Sequence, residues 1–262
     1  MDGIKDKVAI VTGGATLIGA AVAAALHSGG ARVVIADIDK EGGRRVAAGL
    51  GEGARFIATD ITDDVQIDAC VASTVAELGG IDILVNLACS YIDDGIESSR
   101  RDWNQSLAVN VVGAVMMSKA CRPHMIARGG GAIVNFSSIS AKVAQTGRWL
   151  YPVGKAAVAQ LTRSMAMDLA RDGIRVNSVS PGWTWSRVMD ELTRGDRAKT
   201  DKVAAPFHML GRVGDPEEVA QGVVFLCSAQ ASFITGADLP IDGGYSAMGP
   251  EQGVPAIPLL AQ

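Results

Sequence analysis

The sequence predicts an α/β fold, a doubly wound parallel sheet in a single domain. Three observations predict it. Short β-branched runs alternate with longer Ala-rich stretches. The β-branched runs are nearly continuously apolar, the pattern of strands covered by helices on both faces. No linker composition and no fixed-period repeat divides the 262 residues. Strand–helix alternation at this spacing implies parallel strands joined by right-handed crossovers.

Taken in order, residues 8–11 (VAIV) read as the first strand and residues 17–28 as the first helix. Residues 32–36 (RVVIA) form the next strand, followed by a helix over 40–50. Residues 55–58 and 81–85 are two more strands, with 63–78 helical between them. Long helical patterns over 102–127 and 150–171 flank a strand at 133–136, and a strand at 174–179 follows. Gly129-Gly130-Gly131 reads as a tight connection. Residues 183–214 and 249–262 read as irregular. The first is long enough for a mobile lid over a site, or is a plain surface excursion. The second carries Pro250, Pro255 and Pro258 among apolar residues, as a tail packed on a neighbouring subunit or left disordered. The expected organisation is one domain over 1–248, with a lid near 183–214, and a tail over 249–262.

Composition narrows the function classes. Hydrophobic residues make up 48% of the chain, which argues against disorder. Lys and Arg number 24 against 28 Asp and Glu, a net charge of −4 that disfavours a broad nucleic-acid or anionic-membrane surface. The apolar stretch at 17–26 is too short to span a bilayer, so no membrane partner is expected. Cys70, Cys89, Cys121 and Cys227 are far apart, as are His27, His124 and His208, so no sequence-local metal site is expected. Residues 1–7 carry charges and lack an apolar leader core, which points to a cytoplasmic protein with reduced thiols.

Two constellations carry chemistry. Thr12-Gly13-Gly14-Ala15-Thr16-Leu17-Ile18-Gly19 follows the first strand and opens a helix, the context a phosphate-cradling turn needs. Asp37 lies 18 residues after Gly19 at the end of the second strand, where a carboxylate can accept from adenosine ribose hydroxyls. The same charge repels a 2′-phosphate, and no Lys or Arg stands in the turn or at position 38. NAD is therefore favoured over NADP. In the second constellation, Tyr151 and Lys155 are four residues apart on one helix face, where an ammonium lowers a phenol's pKa from its usual value of about 10. Ser138, 13 residues earlier at a strand end, or its neighbour Ser137, can hydrogen-bond a carbonyl oxygen.

With Asp60-Ile61, Asn86-Leu87-Ala88-Cys89, Asn110, Pro181-Gly182 and Ile241-Asp242-Gly243-Gly244 in the same order, the chain resembles the single-domain short-chain dehydrogenase/reductases from Lys7 to about Ser246. The resemblance implies a Rossmann-type sheet and an NAD cofactor. Gly13, Thr16, Leu17, Ile18, Gly19, Asp37, Asp60, Ile61, Asn86, Pro181, Gly182, Thr184 and Ser186 would hold it. It implies Tyr151 as acid/base and Ser138 as the group that orients the substrate oxygen. Lys155 would bind the nicotinamide ribose, and the backbone at Asn110 would hold a water behind Lys155. Asp60 would face adenine, and Ser186 the nicotinamide carboxamide. The chain departs from the family's pattern at Leu17, where a middle glycine is usual, at Leu87 and Cys89 in the Asn-Asn-Ala-Gly motif, and at Gly154, where Ser or Thr is common.

Trp149, Trp183 and Trp185 fall beside the tyrosine or at the mouth of the lid, with Met189, Phe207 and Met209 inside it, and Trp149, Trp183, Trp185 and Met189 are the expected substrate-pocket residues. Aromatics at a pocket mouth suggest a secondary alcohol or ketone on a ring or aromatic scaffold. Arg148 or Arg187 would suit a substrate carboxylate, or stand solvated at the rim. The alternatives are a cis-dihydrodiol or sugar dehydrogenase and, outside enzymes, a dinucleotide-sensing binding protein or a scaffold. The segment 156–170 is apolar over more than one stripe, which suggests a homo-oligomer. The family resemblance implies that this helix and the Asn110 helix pair across a dimer interface, often within a tetramer.

Overall fold

The computed structural model describes residues 2–261, so Met1 and Gln262, the outermost positions of the expected domain and tail, lie outside the described residues. Within them, seven parallel strands form one sheet in the order β3-β2-β1-β4-β5-β6-β7. The strands are β1 Val8–Thr12, β2 Arg32–Asp37, β3 Ala54–Ala58, β4 Ile83–Asn86, β5 Gly131–Phe136, β6 Ile174–Pro181 and β7 Asp238–Ile241. The helices are α1 Leu17–Ser28, α2 Lys40–Leu50, α3 Asp64–Leu78, α4 Arg100–Leu107, α5 Gly113–Ala127, α6 Leu150–Leu169, α7 Arg187–Thr193, α8 Arg197–Ala204 and α9 Pro216–Cys227. The strand order reverses between β1 and β4, and at such a switch point an open parallel sheet leaves a ligand crevice at its C-terminal edge.

Two cores lie on opposite faces of the sheet. One packs Val22, Leu26, Val219 and Val223 of α1 and α9 on Val33 and Ile35, with Val46 and Leu50 of α2 alongside. The other packs Ile67 and Val71 of α3, Met117 and Cys121 of α5 and Ala166 of α6 on Val8, Ile10, Leu84 and Ile133. With both faces covered, β1, β4 and every residue of β5 after its first are buried, so these runs need be apolar throughout.

The structure departs from the expected elements in several places; β5 starts two residues early, at Gly131, and β6 runs two residues longer, to Pro181. β4 begins at Ile83 rather than residue 81, and Asp82 just before it turns its carboxylate onto the Val8 amide at 2.9 Å. The pattern over 102–127 is not one helix. A capping box from Ser99 and Asp102 starts α4 at Arg100, and a π turn, Ala108–Val112, separates α4 from α5. The π turn places Asn110 so that its side chain reaches across to Ser90. Residues 183–214 are not irregular: they contain α7, α8 and a 3-10 turn, with Ser186 and Asp196 as N-caps. α9 and β7 were not anticipated, although Asp215 and Glu218 form a capping box with Pro216 as the first helical residue. Of the tail, Ile257–Ala261 forms a 3-10 turn and Leu259 and Leu260 are exposed. Among the described residues, no helix is long and apolar enough to cross a membrane.

At the edge of the sheet far from the crevice, Asp82 joins β1, β4 and the end of α5. It is 3% exposed and accepts from Val8 N, Lys7 Nζ at 3.2 Å and Arg128 Nε and Nη2 at 3.2 Å each. Burial pushes its pKa up, but Arg128, the Val8 amide and Lys7 outweigh burial and hold the carboxyl below its ordinary value. A carboxyl depressed in the folded state contributes its full stability above the unfolded value, about 3.9, and loses it as pH falls through the folded value. Asp82→Asn is predicted to lose about 2 kcal/mol of unfolding free energy at pH 7 in a urea melt, because two half-exposed cations and an amide lose a charged acceptor. The difference from the parent protein should close as pH drops below 3.9. An equal loss at every pH would contradict the charge-based account.

Candidate active site

The Gly-rich turn is shaped by contacts only glycine allows. Gly13 has φ +69°, and a Cβ there would come within 2.8 Å of the Ala88 Cα. A Cβ on Gly19 would overlap the Gly13 carbonyl oxygen. Thr16 caps α1, accepting from Gly19 N at 3.1 Å and donating to Gly13 O at 2.8 Å. Leu17 is the first residue of α1 and stands 45% exposed, so its bulk borders the turn without filling it. Ile18 turns its side chain onto the core beneath α1. Asp37 ends β2, accepting from Ala15 N and Asp39 N at 2.9 Å each, while Asp39 takes the α2 cap. Asp60 is folded back on Thr62, whose amide and hydroxyl both donate to it, and Ile61 is buried against Gly113. A close-packed glycine turn running into a helix start, with a strand-end carboxylate beside it, fits a pyrophosphate–ribose unit.

Asn86 behaves differently from the other expected cofactor residues. Its Nδ2 donates to Asn135 Oδ1 at 2.9 Å and Ser118 Oγ at 3.2 Å, inside the sheet–α5 layer, and its buried Oδ1 has no partner among the described residues. The side chain is thus spent on joining β4 to β5 and α5. Thr12 Oγ1 accepts from Leu87 N and Ala88 N and fixes where the chain leaves β4.

Ser138, Tyr151 and Lys155 converge at the C-terminal end of β5. Lys155 is 3% exposed and its Nζ donates to Phe136 O at 2.7 Å. Ser137 Oγ donates to Lys155 O at 3.1 Å, which commits Ser137 to the helix and leaves Ser138 as the hydroxyl beside the tyrosine. Ser138 Oγ also accepts from Ser140 N, capping a 3-10 turn. Lys155 Nζ lies 5.4 Å from the Tyr151 ring centroid. Asn110, 4% exposed, accepts from Ser90 N at 2.7 Å and donates to Ser90 O at 3.0 Å. Gly154 packs against the Asn110 Cβ with ordinary van der Waals room for a methyl group, so its lack of a side chain is tolerated.

The loop after β4 adds groups that the sequence did not single out. Tyr91 stacks on Tyr151, ring centroids 5.2 Å apart and planes at 20°, and its hydroxyl also faces that of Tyr151. Asp93 accepts from Trp149 N and Tyr151 N at the start of α6. An aromatic and two acids directly after Asn-Leu-Ala-Cys were the available signals. Burial pushes the Tyr151 phenol above its usual value, and the nearby Cys89 adds to the rise. Ser138, Arg148 and Tyr91 act against it. This reverses the expected lowering: the Lys155 ammonium is turned onto the Phe136 carbonyl, and desolvation dominates.

The remaining expected residues scatter. Trp149 starts α6 and is 48% exposed. Trp183 packs on Phe207 at 5.6 Å and edge-on to His208 at 6.0 Å, lining a separate cavity with Leu210, Pro240 and Asp242. Trp185 lies under the Arg197 guanidinium at 5.4 Å. The Ser186 hydroxyl accepts from Met189 N and caps α7. Thr184 Oγ1 donates to Gly182 O, and Gly182 fits against Asp242 directly after Pro181 ends β6. Trp183 and Trp185 therefore serve the packing of 183–214 in this structure.

Comparison with known proteins agrees with this geometry. A family model described as enoyl-(acyl carrier protein) reductase matches residues 13–246. The chain is 39% identical to D-threitol dehydrogenase of Mycolicibacterium smegmatis over 93% of its own length and 94% of that protein's. It is also 39% identical to cis-4-hydroxycyclohexanecarboxylate dehydrogenase of Sinomonas cyclohexanicum, covering 94% of this chain and 99% of that one. The solved 3-ketoacyl-(acyl-carrier-protein) reductase from Brucella melitensis complexed with NADH superposes with a TM-score of 0.86 at 32% identity, covering 93% of this chain and 100% of that one.

A buried ammonium with one carbonyl acceptor costs more in desolvation than one hydrogen bond returns. Lys155→Met is therefore predicted to keep or raise the unfolding free energy, by up to about 2 kcal/mol, in a urea melt. A loss of that size would mark Lys155 as a structural residue.

Proposed function

The chain belongs to the short-chain dehydrogenase/reductase family, and from that premise we propose that it is an NAD-dependent oxidoreductase interconverting a secondary alcohol and a ketone. One observation carries the reading: the Tyr151 hydroxyl faces the Ser138 hydroxyl, beside the buried Lys155, on the sheet edge that also bears the Gly-rich turn. Gly13, Gly19 and the start of α1 would hold the pyrophosphate, Asp37 the adenosine ribose, and Lys155 the nicotinamide ribose. When bound, NAD would supply the hydride acceptor for oxidation, and its reduced form the hydride donor for reduction.

Ser138 donates to the substrate oxygen and holds it against Tyr151. In oxidation Tyr151, as phenolate, takes the hydroxyl proton while the carbinol carbon gives up its hydride. In reduction the phenol returns that proton to the carbonyl oxygen. Since burial raises the phenol's pKa, oxidation draws on the minor, deprotonated form and accelerates as pH rises, whereas reduction draws on the protonated form and slows at high pH.

The substrate we propose carries its alcohol on a ring or aromatic scaffold. The Tyr91 ring stacks on Tyr151, Trp149 stands half-exposed two residues before it, and a relative is named for a hydroxycyclohexane carboxylate. An acyclic polyol is the second reading, favoured by the threitol relative. Residues 183–214, with α7 and α8, form the lid of the site in this reading. The exposed Val153 and Met167 on α6 and Val112 beside α5 suit pairing of chains into a dimer or tetramer, which light scattering would read directly. The chain is proposed to work in the cytoplasm.

Tyr151→Phe should bind NAD as the parent does, by fluorescence titration, yet lose at least about 100-fold in turnover, in line with a general acid/base of this kind. Near-normal turnover would remove Tyr151 from the mechanism. In a panel of secondary alcohols, ring alcohols should form NADH faster than open-chain polyols, and NADP should serve poorly beside Asp37. Polyol turnover with silent ring alcohols would favour the second reading.

A further inference from the structure

The Tyr151 helix begins without a cap of its own. Trp149 occupies the N-cap position and offers no side-chain acceptor, so the free amides of the first turn need another partner. Asp93 supplies it from the loop after β4, more than fifty residues earlier. Its Oδ1 accepts from Trp149 N at 2.8 Å and from Gly95 N at 3.2 Å, and its Oδ2 accepts from Tyr151 N at 3.0 Å. The side chain is 2% exposed. Its Oδ2 also faces Arg148 Nε at 3.9 Å, and the Arg148 guanidinium lies over the Tyr151 ring, 4.8 Å from the centroid.

We propose that Asp93 and Arg148 are a positioning pair for Tyr151: the carboxylate fixes the start of α6, and so the phenol's place beside Ser138, and it holds the guanidinium over the ring. The proposal rests on the reading of Tyr151 as the acid/base group. A cation on the ring of a phenol favours its ionised form. Ser138 and Tyr91 also counter burial, as hydroxyls rather than charges, while Cys89 in the β4 loop adds to the rise. Lys155, from α6, is bonded to the Phe136 carbonyl. Arg148 is a cation that counters burial, 4.8 Å from the ring centroid and outside the α6–β5 contact that holds Lys155. For Asp93, burial works against ionisation, but the Trp149, Tyr151, Leu150 and Gly95 amides outweigh it and hold the carboxyl below its usual range. The Asp93 carboxylate therefore stays charged across the assay range.

The test is the pH profile of alcohol oxidation in the full-length protein, measured alongside the NAD dissociation constant. Arg148 is partly exposed at the rim, so Arg148→Gln should fold. Its apparent pKa for oxidation should move up by about one unit, making oxidation about 10-fold slower on the acid limb at unchanged NAD affinity. Arg148→Lys should recover more than half of that shift. Asp93→Asn, which can offer the amides only one acceptor, should lower kcat in both directions with NAD affinity unchanged. An Arg148→Gln profile that superimposes on the parent's, in a protein whose Tyr151→Phe variant is inactive, overturns the proposal. An active Tyr151→Phe variant overturns instead the assignment of Tyr151 on which the pair rests.

Discussion

The site depends on a reciprocal clamp between α6 and the end of β5. Lys155 Nζ donates to the Phe136 carbonyl at 2.7 Å, and Ser137 Oγ donates to the Lys155 carbonyl at 3.1 Å. Two bonds in opposite directions, both buried, leave the helix little freedom to slide or roll over the strand. Tyr151 stands one turn before Lys155 and Ser138 one residue after Ser137, so the clamp also sets the phenol against the hydroxyl. The cost is an ammonium taken almost wholly out of water, which a protein keeps where chemistry needs it.

The loop after β4 then ties the two halves of the crevice together. Ala88 lies against Gly13, Ser90 is held on both its backbone groups by Asn110, Tyr91 covers Tyr151, and Asp93 takes the amides at the start of α6. The π turn that carries Asn110 is the backbone adjustment that lets a helix residue reach this loop. The departures from the family's pattern at Leu87 and Cys89 fall in the same loop. Leu87 is buried in the core, and Cys89 stands near the phenol, where a thiol adds to the rise in its pKa.

The sheet was legible because apolar runs covered on both faces leave an unambiguous trace, and α1 and α2 run over the residues their patterns indicate. β7 was not legible, since Asp238-Leu239-Pro240-Ile241 at the sheet edge is only half-buried and contains a proline. α9 was legible in principle from Asp215-Pro216-Glu217-Glu218. The π turn leaves no trace in hydrophobic spacing because it shifts the register by one residue inside a helical pattern. Tyr151, Ser138 and Lys155 could be named from spacing, but their electrostatic balance could not. Burial outweighs the neighbouring cations, and burial belongs to the fold. Asp93 was invisible for a related reason: a cap supplied from a distant loop has no local sequence signature, and Trp149 at the cap position even argues against one. Trp183 packs on Phe207 and His208 and Trp185 under Arg197, contacts that proximity in sequence to a site does not foretell.

The most direct measurement is a crystal structure of the protein with NAD and a ring-bearing secondary alcohol bound together. The account predicts the alcohol oxygen at about 3 Å from both Tyr151 Oη and Ser138 Oγ, with its carbinol carbon facing the nicotinamide and the Tyr91 hydroxyl displaced from Tyr151. An alcohol bound away from Tyr151, or a Tyr151 ring turned out of the crevice with both ligands in place, would contradict it.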